Sequence, residues 1–481
     1  MNRRRFIRHA SLAASGCLLA SAAWGAEAAF PVVRTPATNR KFTSPAVEAT
    51  IRRVKSAIGN QELAWMFENC FPNTLDTTVD FQMLNGRPDT YVITGDIDAM
   101  WLRDSSAQVY PYLSLLKQDT ALQQLVAGVL NRQTRYILLD PYANAFYRDA
   151  TKISGWKSDL TTMKPGVHER KWEVDSLCYP LRLAHGYWQA TGDPAPFDDA
   201  WRSAVALIVK TFREQQRQKG PGPYHFQRRT AVQSDTLAGG GYGNPARPVG
   251  LIFSMFRPSD DATVFPFLIP SNFFAVTSLR QAAEMLEQIH QDHAAAADCR
   301  ALAGEVEQAL HACALVNRPS PGESSPPSPA RQSAIYAYEV DAYGDSYAID
   351  DGNLPSLLSL PYLGGVKTDD PVYQATRRFV LSSENPYYCA GKFSGPGGPH
   401  AGKNRIWPLG LVTQALTSTD DREIAACLRT LQLTHAGTGF MHESFDMNDP
   451  RKFTRPWFAW ANTIFGELIL TTFQTRPHLL D

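Results

Sequence analysis

The stretch Pro270-Ser271-Asn272-Phe273-Phe274-Ala275-Val276-Thr277-Ser278-Leu279-Arg280-Gln281-Ala282-Ala283-Glu284-Met285-Leu286-Glu287-Gln288-Ile289 sets Phe274, Leu279, Ala282, Met285, Leu286 and Ile289 on one face of a 3.6-residue helix. Apolar groups spaced this way share a surface only if the backbone is helical, and Ser271 stands where it can cap the helix start. The same stripe returns at Leu122, Leu125, Val126, Val129 and Leu130, and at Trp201, Val205, Ile208 and Phe212. It continues through Leu302, Val306, Leu310 and Cys313, then Ile424, Cys427, Leu428 and Leu431, and ends at Ile464, Leu468 and Phe473. With residues 46–58 and 61–71, periodicity predicts about twelve helices. Strand-like alternation is confined to residues 90–94 and 336–342.

Long segments rich in Gly, Pro, Asp and aromatics separate the helices, at residues 151–173, 221–259, 338–353 and 385–407. Loops of that length in a compact domain carry function. Residues 317–333 differ. Pro319, Pro321, Pro326, Pro327 and Pro329 mark an exposed insertion, and helical pattern on both sides keeps it within one domain. An all-α chain of this kind fits an α/α toroid, with inner and outer helices in concentric rings and a cleft built by loops at one rim. A helical solenoid is the alternative, and no fixed-period repeat supports it.

The first residues stand apart from this pattern. Arg3-Arg4-Arg5-Phe6-Ile7-Arg8 precedes an Ala/Leu/Ser run to Ala23, then small residues to Ala29. A basic start, a short apolar run and an A-x-A-like exit predict a secretory signal over residues 1–28, with cleavage after Gly25 or Ala28. Arg3-Arg4-x-Phe6-Ile7 suggests twin-arginine export of the folded protein. The run is too short and too polar for a membrane anchor. The expectation is an exported protein, periplasmic or secreted, with one domain over residues 29–481.

Charge is balanced at 47 basic against 47 acidic residues, so bulk electrostatics favours neither nucleic acid nor an anionic membrane. Stable membrane association is not expected, and the chain reads as a monomer. Beyond Cys17, the cysteines are scattered with no C-x-x-C pair, which argues for buried small hydrophobes.

Candidate chemistry lies near helix boundaries. Gly95-Asp96-Ile97-Asp98-Ala99-Met100-Trp101-Leu102-Arg103-Asp104-Ser105 packs three aspartates, an arginine and a tryptophan into one short run. A core cannot hold so many charges unpaired, so the run is either a polar pocket or a buried ion-pair knot. A tryptophan among carboxylates and a guanidinium suits a sugar, which needs an apolar face to stack on and charged groups to grip hydroxyls. Further clusters are Lys171-Trp172-Glu173-Val174-Asp175 with His168 just before it, Phe256-Arg257-Pro258-Ser259-Asp260-Asp261, Asp350-Asp351-Gly352-Asn353 and His442-Glu443-Ser444-Phe445. Each alone reads as solvated surface or a helix cap. Their recurrence beside aromatics or arginine favours a carbohydrate site.

Four of these runs, taken together, resemble glycoside hydrolase family 125: those beginning at Gly95, at Phe256, at Asp350 (Asp350-Asp351-Gly352-Asn353-Leu354-Pro355-Ser356-Leu357-Leu358) and at Met441 (Met441-His442-Glu443-Ser444-Phe445). Characterised members are bacterial exo-acting α-1,6-mannosidases with an (α/α)6 barrel and an inverting mechanism. The resemblance extends over residues 42–473; only the Pro/Ser-rich insertion departs from it. It implies a general acid in the Asp260-Asp261 pair and a general base at Glu443. A neighbouring carboxylate raises a carboxyl's pKa, which suits the acid. Asp260 is taken as donor, with Asp261 as the alternative. Trp101, Arg103, Asp104, Glu173, Asp175, Arg257, Asp261 and His442 are then expected to bind a mannose-containing glycan. An inverting pair stands roughly 6.5–9.5 Å apart and needs neither metal nor cofactor.

Other classes fit the same residues. Asp96, Asp98, Asp350 and Asp351 could serve calcium in a calcium-dependent mannosidase. A toroid polysaccharide lyase would instead need a Tyr or His base. A non-catalytic glycan-binding protein would keep the aromatics and Arg103 without a paired acid and base.

Overall fold

In the computed structural model, which describes residues 30–319 and 332–481, the 270–289 stretch lies within a helix over Ile269–His290. Phe274, Leu279, Ala282, Met285 and Leu286 are buried on its stripe. Ser271 does not cap it. The helix begins two residues earlier, directly out of a ladder in which Phe267–Leu268 pairs antiparallel with Glu339–Val340. Asn272 fastens this start instead: its side chain accepts from Ile252 N at 2.8 Å and donates to Leu268 O at 2.9 Å.

Thirteen α-helices are present among the described residues. They are α1 (Pro45–Ala57), α2 (Gln61–Cys70), α3 (Asn73–Thr77), α4 (Leu102–Val109), α5 (Thr120–Leu139), α6 (Val174–Thr191) and α7 (Asp199–Gln215). After them come α8 (Ile269–His290), α9 (His293–Cys313), α10 (Pro371–Val380), α11 (Pro408–Leu416), α12 (Asp421–Thr434) and α13 (Ala459–Thr475). Residues Val33–Asp481 cluster as one compact unit.

The long helices fall into two sets by how they begin. α1, α2, α5, α7, α9, α10 and α12 start from Ser44, Asn60, Asp119, Asp198, Asp292, Asp370 and Asp420, each accepting a backbone N–H of its first turn. These side chains satisfy orphan donors of the first turn, at ends that face solvent except for the buried Ser44 and Asp119. α4, α6, α8, α11 and α13 start from Trp101, Glu173, Leu268, Trp407 and Phe458 with no side-chain cap. This second set packs together: α4 on α6, α6 on α8, α11 on α13, and α13 back on α4. Residues 350–365 reach both α8 and α11. Thr277 of α8 donates to Gly364 O at 3.1 Å, and Gly352 lies against Trp407. The capped helices pack outside in turn, α5 on α7 and α7 on α9.

The strand expectations hold only in outline. Residues 90–94 fall at the end of Arg87–Val92, which pairs with Val79–Leu84 across Asn85-Gly86, both at positive φ (52° and 78°). That turn is the type an Asn-Gly pair favours. Residues 336–342 split between Gln332–Tyr336 and Glu339–Val340. The flanks of the Pro/Ser-rich insertion are ordered as a ladder between Leu315–Pro319 and Gln332–Tyr336. Residues 320–331 and the expected signal over residues 1–28 lie outside the described residues. The six cysteines after Cys17 are free thiols, all buried except the half-buried Cys313. No helix of the described residues is long and apolar enough to cross a membrane.

Candidate active site

The uncapped helix starts gather most of the chemistry. Met100–Trp101 pairs with Ala145–Phe146, which pairs in turn with Val167–Glu169. This small sheet aligns the first turns of α4 and α6, so that Arg103 meets Glu173 and Asp175. Arg103 is buried, with Nη1 at 2.6 Å from Glu173 and 3.2 Å from Asp175. Its Nη2 lies 3.6 Å from Asp260 and its Nε 3.6 Å from Asp104. One guanidinium thus faces four carboxyls and cannot neutralise them all. The surplus appears as carboxyls held above their ordinary range. Burial, opposed by Arg103 and reinforced by Asp260 and Asp175, holds the Glu173 carboxyl well above its ordinary range. Burial likewise outweighs Arg103 at Asp104, whose pKa is pushed up to about 6.

Asp260 sits on a tight turn. Asp260 N donates to Arg257 O at 2.9 Å, and Arg257 N donates to Asp261 O at 2.8 Å. The turn forces Asp260 to φ 65°, a left-handed conformation that costs a non-glycine residue roughly 1–2 kcal/mol. Such strain persists where surrounding contacts dictate it. Here they do: Lys171 Nζ donates to the Asp260 carbonyl at 2.7 Å, and Asn144 Nδ2 donates to its carboxylate at 3.3 Å. Asp261 turns the other way, with Oδ2 at 3.3 Å from His400 Nδ1. Burial at Asp261 is outweighed by the hydrogen bond and charge of His400, which hold its carboxyl below the ordinary aspartate range. The neighbouring-carboxylate argument for a raised acid therefore does not apply to Asp261.

Glu443 approaches from the C-terminal part of the chain. It accepts from Thr454 Oγ1 at 2.9 Å and from Arg455 Nη1 at 3.2 Å. Arg455 also bonds Asp96, with Nε to Oδ2 at 3.1 Å. The two arms border one region: Asp104 feels both Asp260 and Arg455, while His400 feels Asp261, Glu443 and Asp260.

Three expected substrate contacts take different parts. Trp101 is only 3% exposed, packed with Ala99 and Ala145 and edge-on to His168, so its face is not open for a sugar to stack on. Arg257 is buried and donates to Glu339 at 2.6 Å. Glu339 in turn accepts from Val264 N and Phe265 N, so Arg257 anchors the turn that carries Asp260. His442 is buried, stacked on Phe453 at 4.0 Å, and its Nδ1 meets the Arg455 carbonyl at 3.0 Å. It braces the segment holding Glu443.

The carboxylates considered for calcium do not converge. Asp96 pairs with Arg455, Asp98 with Lys152, and Asp350 accepts from Leu357 N and Leu358 N. Among the described residues no group of three or more His, Cys, Asp or Glu side chains is arranged to hold a metal. His400, Arg455, Thr454 and Asn144 join the site without having been singled out from the sequence. His400 lay in a recognised Gly/Pro loop, but nothing local marked the others. A groove of about 1360 Å³ beside α7 and α9 is lined by Arg202, Val209, Arg213, Leu286 and Cys299. It shares no residue with this cluster, and its arginines are engaged by Asp292 and Asp298.

Comparison with known proteins agrees with this geometry. A model of the metal-independent α-mannosidases matches residues 60–470. The chain is similar to the meiotically up-regulated gene 157 protein of Schizosaccharomyces pombe, at 44% identity over 92% of this chain and 89% of that one. It is also similar to a solved α-mannosidase of Streptococcus pneumoniae in a non-productive complex with α-1,6-mannobiose. That likeness has a TM-score of 0.84 and 40% identity, over 91% of this chain and all of the other. A bacterial glucoamylase bound to acarbose shares the fold alone, at TM-score 0.51 and 14% identity over 91% of this chain and 58% of its own. A family match across nearly all the described helices, including every carboxyl gathered around Arg103 and Arg455, leaves one assignment: the chain belongs to glycoside hydrolase family 125, the metal-independent α-mannosidases.

Proposed function

We propose that the protein is an exo-acting, inverting α-mannosidase that removes terminal α-1,6-linked mannose from glycans, on an (α/α)6 barrel. The observation that carries this reading is the pair of separately held carboxyls. Asp260 stands on a strained turn beside Arg103 and Asn144, and Glu443 is oriented by Thr454 and Arg455. Asp260 gives its proton to the glycosidic oxygen as the bond to C1 breaks. Glu443 takes a proton from water as that water attacks C1 from the opposite face, which turns an α-mannoside into β-mannose. Asp104 and Asp261 meet the sugar hydroxyls, while Glu173 and Asp175, whose side chains are fully buried, hold Arg103 beside Asp260. The alternation of capped and uncapped helices supports the barrel. The mannobiose held by the pneumococcal relative supports the linkage.

Proton NMR of α-1,6-mannobiose hydrolysis tests linkage and stereochemistry together. β-Mannose should appear first. Initial α-mannose would overturn inversion, and release of internal oligosaccharides would overturn exo action. Export by the twin-arginine route is proposed from residues 1–28. Replacing Arg3 and Arg4 with lysine should retain the protein in the cytoplasm on fractionation, whereas unchanged export would sink that route.

A further inference from the structure

His400 is delivered by a loop with almost no lateral freedom. A Cβ on Gly397 would fall 2.4 Å from the Arg405 carbonyl and 2.7 Å from that of Tyr387. One on Gly398 would fall 2.3 Å from Asp351 Oδ1. The loop backbone is therefore pressed against Asp351, and two residues later the imidazole meets Asp261 at 3.3 Å, with 27% of its side chain exposed. The charged groups facing it come from separate elements. Asp260 and Asp261 lie on the turn after Arg257, Asp351 before the turns that lead to α10, and Glu443 before α13. The Trp407 ring closes the remaining side at 6.2 Å. No other cation makes a direct ion pair with Asp261 among the described residues.

We infer that His400 is a positioning residue for the reaction: as an imidazolium it fixes Asp261 as a carboxylate that accepts from the bound sugar. The inference rests on the α-mannosidase reading for its substrate but not for its ion pair. Burial disfavours the imidazolium, yet the hydrogen bond and charge of Asp261, with Glu443 and Asp260 behind it, carry its pKa up to about 9. The pair is accordingly intact at neutral pH and opens as pH rises through that value.

The test uses the full chain and three variants, His400→Gln, His400→Ala and Asp261→Asn, with α-1,6-mannobiose and an activated aryl α-mannoside. His400→Ala should raise KM by about tenfold or more, the scale of losing one charge-assisted hydrogen bond. It should leave the ratio of kcat between the two substrates unchanged, because the donor is untouched. His400→Gln, whose amide still donates to Asp261, should recover part of the loss. Its KM should stay flat at the alkaline pH where that of the wild type climbs. A wild-type KM and pH profile in His400→Ala would overturn the inference, as would a leaving-group effect in either His400 variant. Nitrogen-15 NMR of the imidazole gives a readout independent of substrate. Its raised titration should drop toward the ordinary histidine range in Asp261→Asn, and an unmoved titration would also overturn the inference. If the wild type cleaves no α-mannoside, the substrate reading fails while the NMR titration still decides the pair. Should His400→Ala not fold, His400→Gln carries the kinetic arm.

Discussion

At the scale of single residues, the two carboxyl arms differ in what holds them, and substitution should separate their roles. Glu443→Gln can keep the Arg455 contact on its one side-chain oxygen and turn its amide N–H toward Thr454 Oγ1, but it cannot take a proton from water. Turnover should fall by roughly two to four orders of magnitude while calorimetry still detects mannobiose binding. Near-native turnover would remove Glu443 from the base role. Asp260→Asn should damage hydrolysis of mannobiose far more than that of an activated aryl mannoside, because protonation matters most for a poor leaving group. Asp261→Asn should instead raise KM for both. If only Asp261→Asn shows leaving-group dependence, the donor is Asp261. The runs that carry both arms stand out in the sequence as acidic residues beside aromatics or arginine, although the structure places them in loops rather than at helix starts. Trp101 was misread because a tryptophan among carboxylates looks the same whether it lines a pocket or plugs the sheet beneath one. Arg455 was illegible because its partners, Asp96 and Glu443, lie 359 and 12 residues away.

At the scale of elements, helix beginnings divide the molecule into scaffold and site. Removing a polar cap on the outer set should cost stability without touching catalysis. Asp119 caps α5 and also accepts from Ser44 Oγ at 2.5 Å. Asp119→Ala should lower unfolding stability by roughly 1–2 kcal/mol in urea, with kcat/KM unchanged. A change on the inner set should cost both. A Cβ on Gly352 would meet Trp407 Cβ at 2.6 Å, at the start of α11 and beside Asp351. Gly352→Ala should therefore destabilise by about 1–3 kcal/mol and also raise KM; loss of stability alone would show that this junction is mere scaffold. Helices of both sets were readable where the stripe is one-sided, as in α5, α7, α9 and α12 of the outer set and α8 and α13 of the inner one. Four of the five inner starts, those of α4, α6, α8 and α11, follow short ladders of two or three residues, and so brief a strand leaves no alternation to detect. The Asn85-Gly86 hairpin was within reach, since that dipeptide between apolar runs is a turn signal.

At the scale of the whole molecule, the site is a store of unfavourable charge that the surrounding fold sustains. Buried Asp104 and Asp351 are pushed up to about 6 and Asp350 to about 7, in each case chiefly by burial. Between the ordinary aspartate value and these, the folded chain binds more protons than the unfolded one, so stability falls as pH rises across that window. His400, raised to about 9, acts in the same direction. Its contribution is complete below the ordinary histidine value and is lost as pH climbs through its own. Asp261, held low, opposes them only on acidification, where its ion pair is lost. The urea midpoint of the free enzyme should thus be higher near about pH 5 than near about pH 9, and the reverse order would refute this charge inventory. The crowding of four carboxyls around Arg103 carries one more consequence. Mannose is neutral, yet a hydroxyl that donates to Asp104 favours the ionised carboxylate, so capture of the sugar releases hydrogen ions to the medium. The heat of binding should then vary with the ionisation enthalpy of the buffer, and affinity for an uncharged ligand should strengthen as the solution is made less acidic through about pH 6.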